Sequence, residues 1–262
     1  MPPRRKFQFS NNQAFDIAIG LGLIEGVDEF STAGFSGETL TVGEETDITT
    51  IPRIDLDTTT IPGFAEIFLP NNNGEAMEIS SDDPADTGDV QIFALGPGGT
   101  LLAPFELTLQ GTTPVALPGL PSRINFMRNF SPAGFDGTIT IRAAGAGNTY
   151  ANMLAIYQNM TTCHYTIPAG KKGLLKTAVG SMRKQGGTDT AMAILIHVKP
   201  MEFVKYNHPF GFGLQRSGAT TVPLINAYPE AIDGPFDVGM SANASASGAE
   251  AAGRIAGLII DI

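Results

Sequence analysis

The stretch Phe105-Glu106-Leu107-Thr108-Leu109-Gln110-Gly111-Thr112-Thr113-Pro114-Val115-Ala116-Leu117 constrains the fold more than any other part of the chain. Phe105, Leu107 and Leu109 alternate with Glu106, Thr108 and Gln110. A period of two puts successive side chains on opposite faces, which is the pattern of a half-buried strand. Gln110-Gly111 breaks the run, and a second apolar run follows. Two strands joined through a glycine turn read as a hairpin. Short units of this kind recur along most of the chain.

Composition agrees. Gly is present 31 times and Pro 18 times in 262 residues, and charged residues make up only 16%. Such a mixture favours many turns and few long helices. The single cysteine excludes an internal disulfide, so folding does not depend on an oxidising compartment. No run of about 20 apolar residues is present, and no secretory signal follows Arg4-Arg5-Lys6. A soluble protein made in the cytosol is expected.

The net charge of −10 is unevenly placed. Residues 1–87 hold 16 acidic and 4 basic side chains, whereas residues 88–262 hold 10 and 12. An acidic front disfavours nucleic-acid binding there. It is either a solvated surface or a face for a basic partner.

Three segments follow from the pattern. Residues 1–74 read as an extended acidic arm with little periodicity, where Pro52 and Pro62 disfavour central strands. Residues 75–147 read as a first β-sandwich unit, with turn signals every 8–15 residues. Residues 148–262 read as a second. Ala191–Lys199 is its longest strand, apolar on both faces and therefore central. Ile255–Ile262 closes the chain as a strand, and Ala242–Ala252 reads as a loop. The expected fold class is all-β: two jelly-roll-like sandwich units behind an N-terminal arm.

Four clusters invite a chemical reading. Cys163, His164, His197 and His208 lack paired metal-ligand spacing, and strand neighbours such as Cys163 and His164 point apart. A buried cysteine and a hydrogen-bonded histidine are expected instead. Asp82, Asp83, Asp86 and Asp89 offer oxygen ligands, but not at EF-hand spacing, so a solvated acidic turn is expected. Lys171, Lys172, Lys176, Arg183 and Lys184 flank a strand and its following turn without interleaved aromatics, which favours solvent or protein contact over nucleic acid. Gly96-Pro97-Gly98-Gly99 precedes no helical pattern and reads as a turn. No catalytic residue, cofactor site or metal site is expected. Phe203, Tyr206, Phe210 and Phe212 cluster and are candidates for a subunit interface, or for packing within their own subunit.

The run Glu75-Ala76-Met77-Glu78-Ile79-Ser80-Ser81-Asp82-Asp83-Pro84-Ala85-Asp86-Thr87-Gly88 resembles a recurring opening of tailed-bacteriophage virion proteins of the marine and cyanobacterial type. The strand Val90–Leu95, the Thr-rich hairpin around Gly111, Tyr165–Gly173 and Pro209–Gly213 fit the same proteins. The likeness covers about residues 75–262. It implies a structural virion protein, with a capsid decoration (cement) protein as the first reading and a tail-fibre or receptor-binding subunit as the alternative. It implies a homo-oligomer, with a trimer favoured, that contacts the major capsid protein or other virion proteins. The expected location is the virion, after synthesis in the host cytoplasm, with no membrane or nucleic-acid partner. A β-sandwich enzyme would need a polar cluster that the sequence does not offer.

Overall fold

A computed structural model describes residues 25–35, 45–47, 64–65, 71–184, 190–201, 207–216, 220–225, 231–244 and 249–262. The described residues are nearly all β. The strands are β1 (Val27–Phe35), β2 (Glu45–Asp47), β3 (Phe64–Ala65), β4 (Met77–Ser81), β5 (Asp89–Leu95), β6 (Phe105–Thr108), β7 (Val115–Ala116), β8 (Arg123–Asn129) and β9 (Ile139–Ala143). There follow β10 (Thr149–Met153), β11 (His164–Ile167), β12 (Lys171–Lys184), β13 (Thr190–Pro200), β14 (Asn207–Arg216), β15 (Thr220–Ile225), β16 (Ile232–Asp233), β17 (Phe236–Ala244) and β18 (Ala249–Asp261).

The first unit packs the sheet β10-β9-β4-β7 against the sheet β6-β5-β8. Period-two patterning explains why. Met77 and Ile79 from β4, Ile139 and Ile141 from β9, and Val90 and Ile92 from β5 all turn inward and are buried. Asp89, Gln91 and Phe93 take the other face of β5. The Gly111 turn has the positive φ (59°) that the Gln-Gly signal implies, and a Cβ there would collide with the Pro84 carbonyl. The pairing of β10 with β9 carries this unit past residue 147, and its core reaches Met160.

The second unit packs β1-β18-β12-β15 against β14-β13-β17-β2-β3, with β16 added to the first sheet and β11 to the second. The core between them includes Phe30, Ile167, Leu175, Ile196, Val238, Met240, Ile255 and Ile259. The strand expected to be longest is β13, which at 11 residues is shorter than β12 (14) and β18 (13) but does lie between β14 and β17, with Ile196 fully buried.

Two sequence expectations need correction. Both described ends of the loop expected at Ala242–Ala252 are strand: β17 runs to Ala244 and β18 starts at Ala249, with residues 245–248 outside the described residues. Pairing of β12 with β18 over the whole stretch from Lys171↔Asp261 to Lys184↔Ala249 overrides the weak strand propensity of Ala, Ser and Gly. The small side chains Ala242 and Ala251 are themselves buried where the sheets approach. Likewise Lys171, Lys172, Lys176, Arg183 and Lys184 do not flank a strand and turn but all lie on β12.

Within residues 1–74, β1 pairs antiparallel with β18 from Val27↔Ile260 to Phe35↔Ala252, and β2 pairs with β17. Phe30 sits opposite Gly257, whose missing Cβ leaves room for the ring, and it stacks on Tyr165 at 4.3 Å. The described strands of this acidic segment therefore belong to the second unit.

Candidate functional site

The sequence-derived clusters resolve into structural roles. Cys163 and His164 are both buried, and His164 Nε2 lies 3.7 Å from Asp237 Oδ1. His197 and His164 sit on strands either side of β17, both opposite Gly239, and His208 lies on β14. Among the described residues no group of three His, Cys, Asp or Glu side chains is placed to hold a metal ion. Lys171 pairs with Asp261, Lys172 with Asp233 at 2.7 Å and Lys176 with Glu29 at 3.9 Å, so three of the basic residues meet carboxylates of their own chain.

The acidic turn is not simply solvated. Asp82 is exposed, but Asp86 is buried and acts as a staple. Its carboxylate accepts the Ser81 hydroxyl at 2.6 Å and the backbone N–H groups of Asp136 and Gly137 at 3.0 Å each. Burial raises the Asp86 pKa, but these three donors outweigh it and hold the carboxyl below its ordinary value. The turn before β5 is thereby fixed to the loop before β9. Gly137 completes the fit, because a Cβ there would strike Asp82 and Ser81.

A second buried network joins the two units. Arg123 starts β8 and Asp237 lies in β17, and both side chains are almost wholly excluded from water. Arg123 Nε and Nη2 each donate to the Asp237 carboxylate at 3.0 Å. The Thr166 hydroxyl donates to Asp237 Oδ1 at 2.6 Å, and Arg123 Nη2 also donates to Asn72 Oδ1 at 2.9 Å. Asn125, next but one along β8, exchanges hydrogen bonds with the Thr166 backbone at 2.7 and 2.9 Å. Burial pushes the Asp237 pKa up, but His164, Arg123 and Thr166 together hold it below the ordinary carboxylate value. Burial also pushes the nearby Tyr165 phenol up to about 12. This is a bidentate, charge-assisted weld between the sandwiches. Sequence reading missed it because residues 114 positions apart carry no local signal.

The exposed face of β8 differs in character. The Arg128 guanidinium lies 5.9 Å from the Phe93 ring centroid and 5.8 Å from that of Phe130. Its Nε and Nη2 donate to Gln91 Oε1 at 2.9 and 2.6 Å, and Gln91 in turn donates to Glu106 at 3.3 Å. No carboxylate among the described residues pairs with Arg128. Arg128 bridges to Asn159, and Asn129 N–H donates to the Gln158 carbonyl, so the turn 154–158 continues the sheet edge. Phe130 and Tyr157 are each 48% exposed and Ile156 is 79% exposed. Gln158 Oε1 also accepts the Phe135 N–H at 3.1 Å.

Of the aromatic residues expected at an interface, Phe203 and Tyr206 lie outside the described residues. Phe210 and Phe212 lie on β14, opposite Ile196 and Ile194 of β13. Their side chains also lie outside the description. β14 has no second strand neighbour among the described residues.

No protein-family model and no curated protein sequence matches the chain. Among solved structures, that of infectious bursal disease virus, Gx strain, aligns at 11% identity over 89% of this chain and 70% of that one. Its TM-score of 0.19 is too low to carry an argument about fold or role. No helix among the described residues is long and apolar enough to cross a membrane.

Proposed function

We propose that the chain is a non-enzymatic structural protein of a virion, and that it decorates the phage head as a cement protein. One observation carries the structural part of this reading. Two sandwiches held together by a buried ion pair present large apolar side chains to solvent on tightly hydrogen-bonded turns. Exposed apolar groups on a rigid frame are the equipment of a protein that holds other proteins. The virion part rests on the resemblance of residues 75–262 to tailed-phage virion proteins. The partners on this reading are the major capsid protein and further copies of the chain, with three-fold positions favoured.

A second reading, a tail-fibre or receptor-binding subunit, draws on Phe130 and Tyr157, two exposed aromatics of the first unit. A cryo-EM reconstruction of the particle separates the two. Density for the two-sandwich block on the head shell supports decoration, and density confined to the tail supports the second reading. Absence of the chain from purified particles, measured by mass spectrometry, would refute both.

A further inference from the structure

We infer that His164 makes the joint between the two sandwiches sensitive to acid: when its imidazole takes up a proton, the Arg123–Asp237 weld loosens. This property belongs to the joint itself and holds wherever the chain is placed.

Strand alternation sends Tyr165 and Ile167 toward the second core and leaves His164 and Thr166 on the face of β11 that meets β8. His164 is 5% exposed, and its Nε2 lies 3.7 Å from Asp237 Oδ1, beyond hydrogen-bond reach of that oxygen. Oδ1 already accepts the Thr166 hydroxyl at 2.6 Å and Arg123 Nε at 3.0 Å, and Oδ2 accepts Arg123 Nη2 at 3.0 Å. One guanidinium thus matches the one carboxylate. A proton on His164 costs the joint in one of two ways. Either the buried site holds two cations against a single carboxylate, or the ring turns to Oδ1 and displaces Thr166 or Arg123. Both weaken the link between β8 and β17.

The charged groups of the neighbouring elements fit this account. β8 brings Arg123 and β17 brings Asp237. β13, on the far side of β17, places His197 opposite Gly239 and Lys199 opposite Asp237 in register, so its contribution to this row is basic. β1 and β12 meet β11 through the second core instead, where Phe30 stacks on Tyr165. Asp28 of β1 acts there on Tyr165, and Lys171, Lys172 and Lys176 of β12 pair with Asp261, Asp233 and Glu29. The sign follows. In the unfolded chain an imidazole titrates near its ordinary value of about 6.5. The folded joint resists the proton, so below that value the unfolded state binds more protons, and stability present above it is lost as pH falls. The loss approaches about tenfold in the folding equilibrium per pH unit. It sets in above the range in which Asp237 itself titrates.

The test is hydrogen exchange of the full chain between about pH 7.5 and about pH 5, corrected for the intrinsic pH dependence of exchange. It is read at the Thr166 N–H, which donates to Asn125 Oδ1 across the joint at 2.9 Å. In the parent its protection should fall by at least about tenfold over this range. In His164→Gln, which keeps a polar side chain but cannot titrate, the fall should be largely abolished. His164→Asn serves if the Gln variant does not fold. An NMR titration of the histidine ring protons in the parent needs no variant, and should show His164 still neutral in the folded chain at about pH 6. Unchanged Thr166 protection in the parent overturns the inference. So does a fall of the same size in the His164→Gln chain, or a folded His164 that protonates at or above about pH 6.5.

Discussion

Replacing Asp237 by Asn tests whether the two sandwiches are welded by charge. Asn is nearly the same shape, so the change removes a charge without opening a cavity. In the parent, two Arg123 nitrogens and the Thr166 hydroxyl converge on the carboxylate. In the variant an amide N–H₂ faces the guanidinium, and one donor must point at another. Two unit charges about 4 Å apart at an effective dielectric of about 20 attract by about 4 kcal/mol. Leaving one partner of a buried pair uncompensated costs about 3–5 kcal/mol. For a chain of this size that corresponds to a fall in Tm of roughly 10 °C. Urea and thermal unfolding measure it. Replacing both partners, with Arg123→Met and Asp237→Leu, should recover most of the loss, because the pair's desolvation disappears with its attraction. The pH dependence has a definite sign. The folded carboxyl is held below its ordinary value of about 4, so its contribution is present above that pH and is lost as pH falls through the folded value. The gap between parent and Asp237→Asn should therefore narrow below about pH 4. A single Asn variant that loses under about 1 kcal/mol at neutral pH would refute the weld, since that is the range of an exposed pair.

Three further outcomes are expected. Asp86→Ala strands the Ser81 hydroxyl and two backbone N–H groups, and should cost about 2–4 kcal/mol in urea unfolding. Ile196→Asp places a carboxylate at a fully buried position of a central strand and should prevent folding or cost several kcal/mol, read by circular dichroism. Phe30→Ala removes the ring that covers Gly257 and stacks on Tyr165, and should cost about 3–5 kcal/mol, where an independent N-terminal arm would show no effect on the sandwich.

What the sequence made legible was whatever depends on near neighbours. Ile139 and Ile141, or Val90 and Ile92, announce a buried face through period two alone, and both pairs are fully buried. Gly111 announces its turn because only a residue without a side chain tolerates that φ against Pro84. The failures are equally physical. Ala249–Ala252 carries weak strand propensity, and it is strand because β12 offers a long edge to pair with. Asp86 looked like one acid among four, and nothing local marks it as the one whose oxygens meet backbone donors 50 and 51 residues away. Arg123 and Asp237 share no periodicity at all. The link between Asn129 and Gln158 was hidden in a similar way: they meet only because the turn after β10 returns alongside β8.

The position of β1 ties these points to how such a protein is built. β18 is the last strand of the chain, and its two neighbours are β12 and β1, so the first described strand covers the edge of the last. Without β1, the nine residues Ala252–Ile260 of β18 would present an unpaired edge, which is the feature that drives strand-to-strand aggregation. Pairing across more than 200 residues closes a long loop, whose entropy its contacts must offset. The acidic charges of the N-terminal segment then serve two ends. Asp28 and Glu29 are exposed on the covering strand, where like charge discourages addition of a further strand to that edge, and Glu29 also meets Lys176 across the sheet. A chain that closes this edge internally keeps its longest terminal strand out of reach of other chains.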